Sequence, residues 1–179
     1  MISSHERAEG IRPEDEAAAR RRNGDRRVTE LMSWALLTTP VTMIVREARA
    51  LATARGVHHI PVLDGGVMVG IVCTCDLRDA RDDEQVGPHI HSPVTTINAN
   101  ASSNEALATM RRHDVGALPV LYHGFLIGIV TTGDLVRAHV LGEEERQVCS
   151  ACGAHHHVRP NDDGDGSRAL CLGCQKAAL

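Results

Sequence analysis

Four cysteines fall into two pairs, Cys149-Ser-Ala-Cys152 and Cys171-Leu-Gly-Cys174, with 18 residues between the pairs. Two C-x2-C knuckles at that separation offer four thiolates to one ion, the tetrahedral set that zinc takes in structural sites. With four protein ligands no position is left for water, so the expected cofactor is a structural zinc and not a catalytic one. Gly153 and Gly173 suit the tight knuckle turns. Residues 146–179 carry few apolar side chains, so the metal would supply their folding energy. His155, His156 and His157 are further donors, for exchange or a second metal, but four cysteines already complete a site. The acidic stretch Asn161–Gly166 lacks the glutamate that ends a calcium loop and reads as a hairpin tip. A thiol-redox use of the quartet would need a βαβ setting, which the flanking sequence does not provide. The remaining cysteines, Cys73 and Cys75, end an apolar run and read as two small buried residues.

The elements that must position any other chemistry come from a duplication. Val57-His-His-Ile-Pro-Val-Leu63 returns as Val115-Gly-Ala-Leu-Pro-Val-Leu121, an offset of 58 residues. Gly70-Ile-Val-Cys-Thr-Cys-Asp-Leu77 returns as Gly128-Ile-Val-Thr-Thr-Gly-Asp-Leu135 at the same offset. Each copy reads as strand, helix, strand, strand, helix. In the second copy a short strand at Thr95–Ile97 precedes Ser102 and Glu105, a capping box that opens a helix running to Asp114. Strands then flank a turn at His123-Gly124. In the first copy the helix ends at Arg55-Gly56, and Asp64-Gly65-Gly66 makes the turn. Ile44 stands where the second copy has its capping Ser102. Short helices are predicted after Asp76 and after Asp134. Units this small bury little core alone, so the copies are expected to pack on each other with equivalent loops facing a cleft.

The pattern of a helix, Val-x-x-Ile/Leu-Pro-Val, a glycine turn and Gly-Ile-Val-x-x-x-Asp-Leu resembles the CBS domain, across about Val28 to Leu141. The resemblance implies an α+β fold: two β-α-β-β-α CBS domains packed as a pseudo-twofold pair, with a small zinc ribbon added. The divisions expected are a tail at 1–27, domains at 28–88 and 89–145, and the ribbon at 146–179. It also implies a Bateman module that often dimerises, binds AMP, ADP, ATP or S-adenosylmethionine between its domains, and regulates a partner.

The family's ligand motif, Gly-h-h-Thr/Ser-x-x-Asp, is matched in full by Gly128–Asp134. Carried over, Asp134 would accept from ribose hydroxyls, Thr131 would contact ribose or phosphate, and the backbone of Ala117, Leu118 and Pro119 would line the base. A carboxylate has the acceptor capacity for two hydroxyls, and a following helix start would favour phosphate. The first copy keeps Asp76 but has Cys73 in place of the hydroxyl; Thr74 is the nearest substitute, by turning inward. His59 and Ile60 occupy the lining positions there, with His58 beside them. Against these roles stand plain ones: Asp76 and Asp134 as helix N-caps, the histidines as surface or satisfied core groups, and Pro61 and Pro119 as edge-strand or bend residues.

Composition narrows the classes. Aromatic residues are 2% of the chain, too few for stacking nucleic-acid bases. The net charge is −4, against a polyanion partner, although five arginines lie between Arg20 and Arg27. Residues 13–24 carry helix-end signals on polar faces, a marginal helix. No apolar run suits a membrane helix or a secretory leader, so a cytoplasmic location and reduced cysteines are expected. Three functions are open to such a chain: a non-catalytic adenosyl sensor acting on an unknown partner as a homodimer; a dimeric adaptor whose ribbon and arginine tail contact protein or nucleic acid; and an enzyme. No phosphate loop, nucleophile elbow or open metal site supports the last.

Overall fold

The computed structural model describes residues 25–141, together with the strands Val158–Pro160 and Ala169–Cys171. The first copy comprises β1 (Thr39–Pro40), α1 (Val45–Arg55), β2 (His59–Asp64) and β3 (Val67–Cys73). The second comprises β4 (Ile97–Asn98), α2 (Ser103–His113), β5 (Ala117–Tyr122), β6 (Phe125–Thr131) and α3 (Thr132–Arg137). Each copy is a three-stranded sheet with a parallel outer pair and an antiparallel hairpin, in the orders β1-β2-β3 and β4-β5-β6. The registers repeat with the duplication: Val62 pairs with Gly70 and Val120 with Gly128, each next to a bulge. This is a mixed α+β fold, as expected.

Local chemistry explains the helix ends. Ser102 accepts from Glu105 N while the Glu105 carboxylate accepts from Ser102 N, completing the capping box. Ile44 caps α1 with no side-chain bond, and Gly56 closes it in the left-handed region at φ 61°. Ser102→Ala should therefore cost about 1 kcal/mol of stability, measured as a lower denaturant midpoint. The turn residues Gly65 and Gly66, and His123 and Gly124, all have positive φ, as their hairpins require. Pro61 and Pro119 sit in the middle strands, not at edges, but just outside the two-residue pairing with β1 and β4.

Two predicted helices differ. After β3 the chain makes turns through residues 74–80 and forms no helix. Arg49 braces these turns: its guanidinium donates to the carbonyls of Leu77, of Arg78 at 2.8 Å and of Ala80 at 2.7 Å, and pairs with Asp82 at 2.6 Å. The equivalent residue of the second copy is Leu107, which has nothing to donate, and there the helix forms. That helix, α3, starts at Thr132, so Asp134 lies inside its first turn and is not an N-cap; Thr131 is. Cys73 and Cys75 are buried as expected, but they are joined in a disulfide and are not separate thiols.

The copies exchange their leading segments. Val28 and Met32 precede β1 in sequence yet are buried in the core of the second sheet, with Leu118, Val130 and Leu135. Val86 and Ile90 precede β4 yet pack against the first sheet, with Ile60, Val72 and Leu77. Backbone bridges seal the exchange: Ser33 to Ile129 and His91 to Ile71. This assigns a role to the glycine that opens each repeated motif. A Cβ on Gly70 would stand 2.8 Å from Ile90 Cδ1, and one on Gly128 would collide with Met32 Sδ.

Strands β7 (Val158–Pro160) and β8 (Ala169–Cys171) pair antiparallel, with Val158 opposite Cys171. They flank the stretch read as a hairpin tip. Cys149, Cys152 and Cys174, His155 to His157, residues 161–168 and the arginines from Arg20 to Arg22 lie outside the described residues.

Candidate functional site

Because the leading segment crosses over, the groove by Asp134 is built from three pieces of chain. Ser33, Ala35 and Leu37 come from that segment, Arg55 to His59 from the end of α1 and the start of β2, and Thr131 to Asp134 with Arg137 from the second copy. The cavity measures about 580 Å³, within the range of small-molecule sites.

Asp134 lies at its wall, 5% exposed. Its Oδ2 accepts from Thr131 N and Thr131 Oγ1, both at 2.7 Å, and its Oδ1 pairs with the Arg137 guanidinium. These bonds hold the carboxylate in the capping box and leave part of its acceptor capacity open. Arg137 itself is well exposed. Next to it, Thr132 Oγ1 is buried with no hydrogen-bond partner among the described residues. An orphaned hydroxyl costs about 1–3 kcal/mol.

The first copy lacks this arrangement. Thr74, the counterpart of Thr132, has its hydroxyl 3.2 Å from His58 Nδ1 and is already satisfied. Cys73, the counterpart of Thr131, is bonded to Cys75 and does not hold Asp76. Asp76 instead meets His91 Nε2 at 2.8 Å. The hydrogen bond that His91 Nε2 donates to Asp76 raises the His91 pKa above 6.5; partial burial opposes this and the carboxylate charge adds to it. A raised histidine pKa stabilises the fold below about pH 6.5, and that contribution fades as pH rises through the folded value. With the disulfide intact, His91→Ala should therefore lower the denaturant midpoint more at about pH 5.5 than at about pH 8.5.

Of the residues singled out in the sequence, Thr131, Asp134 and His59 line the groove. Ala117 and His59 line a neighbouring cavity of about 310 Å³ with Cys73 and His91. Leu118 and Ile60 are fully buried in the two cores, Pro119 is buried, and Thr74 and Asp76 face His58 and His91. Ser33, Arg55, Thr132 and Arg137 were missed. Thr132 carried a signal, as the second hydroxyl of Thr131-Thr132, and Arg137 lies one helical turn beyond Asp134 on α3; Ser33 and Arg55 reach the groove through tertiary packing.

The CBS domain family model matches the chain twice, over residues 28–83 and 86–140. The chain belongs to the CBS domain family. The CBS domain-containing protein YhcV of Bacillus subtilis (strain 168) is 28% identical over 114 residues, 60% of this chain and 81% of that protein. The inosine-5'-monophosphate dehydrogenase of Mycobacterium leprae (strain TN) is 29% identical over 110 residues, 57% of this chain but 21% of the enzyme. That match is confined to the enzyme's CBS portion. Among solved structures, the CBS-domain containing protein ATU1752 from Agrobacterium tumefaciens aligns with a TM-score of 0.59 and 23% identity, over 64% of this chain and 99% of that one. The CBS domain pair of protein MJ0100, in complex with 5-methylthioadenosine and S-adenosyl-L-methionine, aligns with a TM-score of 0.60 and 21% identity, over 64% and 96%. Both show the CBS pair fold. No helix among the described residues is long and apolar enough to cross a membrane.

Proposed function

We propose that this CBS pair is a non-catalytic regulatory module that binds one adenosyl ligand at Asp134. The observation that carries it is the coincidence, on one wall of the groove, of a buried carboxylate and an unsatisfied threonine hydroxyl. Together they offer an acceptor for ribose hydroxyls and a second polar group beside it. Arg55 and Arg137 add two guanidinium groups to the lining, which favours a phosphate-bearing ligand such as AMP, ADP or ATP over S-adenosylmethionine. The ligand class is the adenosyl one bound by the MJ0100 pair. The first copy, whose Thr74 hydroxyl meets His58 and whose Asp76 faces His91 and not the groove, is not a second nucleotide site in this reading.

The single tryptophan, Trp34, is exposed and stands between the lining residues Ser33 and Ala35. Titration with AMP, ATP and S-adenosylmethionine, followed by Trp34 emission and calorimetry, should give saturable binding with one site per chain. No binding of any of the three overturns the proposal. Output through a homodimer to a regulated protein in the cytoplasm belongs to the same proposal. Phe125 and Val67, exposed at equivalent positions of the two hairpins, support an association surface. A structural zinc on Cys149, Cys152, Cys171 and Cys174 completes it, supported by their spacing and by β7 and β8 pairing between the knuckles. Cys149→Ser should lower the zinc content by one equivalent per chain.

A further inference from the structure

The first copy gathers a different donor set where the second has its groove wall. The sulfurs of Cys73 and Cys75 and a carboxylate oxygen of Asp76 lie within 4.8 Å of one another. His91 Nε2 adds a nitrogen 2.8 Å from Asp76 Oδ2. His91 is delivered by the crossed-over segment, whose bridge to Ile71 fixes it over the end of β3. Cys73 and His91 also line the cavity of about 310 Å³, which gives an ion a way in.

We propose that, once the Cys73–Cys75 disulfide is reduced, the first copy holds a zinc-type divalent cation on two thiolates, the Asp76 carboxylate and the His91 imidazole. Four ligands around zinc stand roughly 3–4 Å apart; the two sulfurs and the carboxylate already lie within 4.8 Å of one another, and His91, held on Asp76, has to swing toward the sulfurs to close the set. Two sulfurs and an imidazole select zinc or cobalt over magnesium or calcium, which take oxygen ligands. The disulfide keeps both sulfurs from the ion. A dithiol reductant opens it by exchange: the S–S bond breaks, two electrons and two protons pass to Cys73 and Cys75, and the dithiol becomes a disulfide. The cation then displaces the two thiol protons to solvent as it binds. The second copy cannot do this, because Thr131, Gly133 and Ser33 occupy the positions of Cys73, Cys75 and His91. The duplication has thus diverged, with nucleoside chemistry in one copy and redox-gated metal chemistry in the other.

The full chain, reduced with a dithiol and freed of it without air, is titrated with cobalt(II) and its bound metal counted by elemental analysis. Reduced wild type should hold one equivalent more than the Cys73→Ser/Cys75→Ser double variant and one more than the disulfide form, whatever the four C-terminal cysteines bind. His91→Ala alters an exposed side chain and so keeps the fold; it should weaken the added site at least tenfold and shift its cobalt absorption bands. Equal metal content in reduced wild type and the folded double variant overturns the proposal. If the double variant does not fold, unchanged affinity and unchanged bands in His91→Ala overturn it instead.

Discussion

A chain beginning at Trp34 should lose the fold of its second copy while the first copy survives. The segment removed carries Val28, fully buried, and Met32, 6% exposed, both in the second core. Each such side chain contributes about 1.5–3 kcal/mol by burial, so the pair removes roughly 3–6 kcal/mol from a domain whose total is about 5–15 kcal/mol. Backbone bonds go with them: Val28 N to Ala101 O at 3.0 Å, Ser33 N to Ile129 O at 2.9 Å, and Ile129 N to Ser33 O at 3.2 Å. Amide hydrogen exchange should show β5, β6 and α2 losing protection while β2 and β3 retain most of theirs. The point variants give the same contrast without truncation. Met32→Ala should destabilise the second sheet by about 2–5 kcal/mol, and Ile90→Ala should act on the first. Equal loss of protection in both sheets from either single variant would rule out separate, exchanged cores.

Asp134→Ala should weaken adenosyl binding on the order of 100-fold, because hydrogen bonds to a charged acceptor contribute about 1.5–3 kcal/mol each. The same substitution removes the carboxylate half of the α3 capping box, at about 1 kcal/mol of stability. Asp134→Asn separates the two effects, since it keeps a side-chain acceptor for Thr131 N but has no charge to offer ribose. Asp76→Asn should change the same affinity by less than about threefold, because Asp76 faces His91 and not the groove. Calorimetry on the three variants decides the matter. Should Asp76→Asn weaken the ligand as much as Asp134→Ala, the ligand spans both copies and the one-site reading fails.

The residues themselves determined the duplication, its register and most of the elements, because those rest on short-range chemistry. Ser102 with Glu105, Arg55-Gly56, Asp64-Gly65-Gly66 and His123-Gly124 act within a few residues of themselves, and each appears where the sequence put it. The turns that stand in place of the helix expected after Asp76 are braced by Arg49, which is 28 residues from Leu77 and gives no local sign. The groove residues Ser33 and Arg55 were invisible for the same reason, since Ser33 reaches the groove through the exchanged leading segment and Arg55 through the packing of the first copy against the second. That exchange is a choice of packing partner. Val28 and Val86 are equally apolar and equally spaced from their copies, so only the assembled cores, with Gly128 open to Met32 and Gly70 open to Ile90, determine which sheet each segment covers.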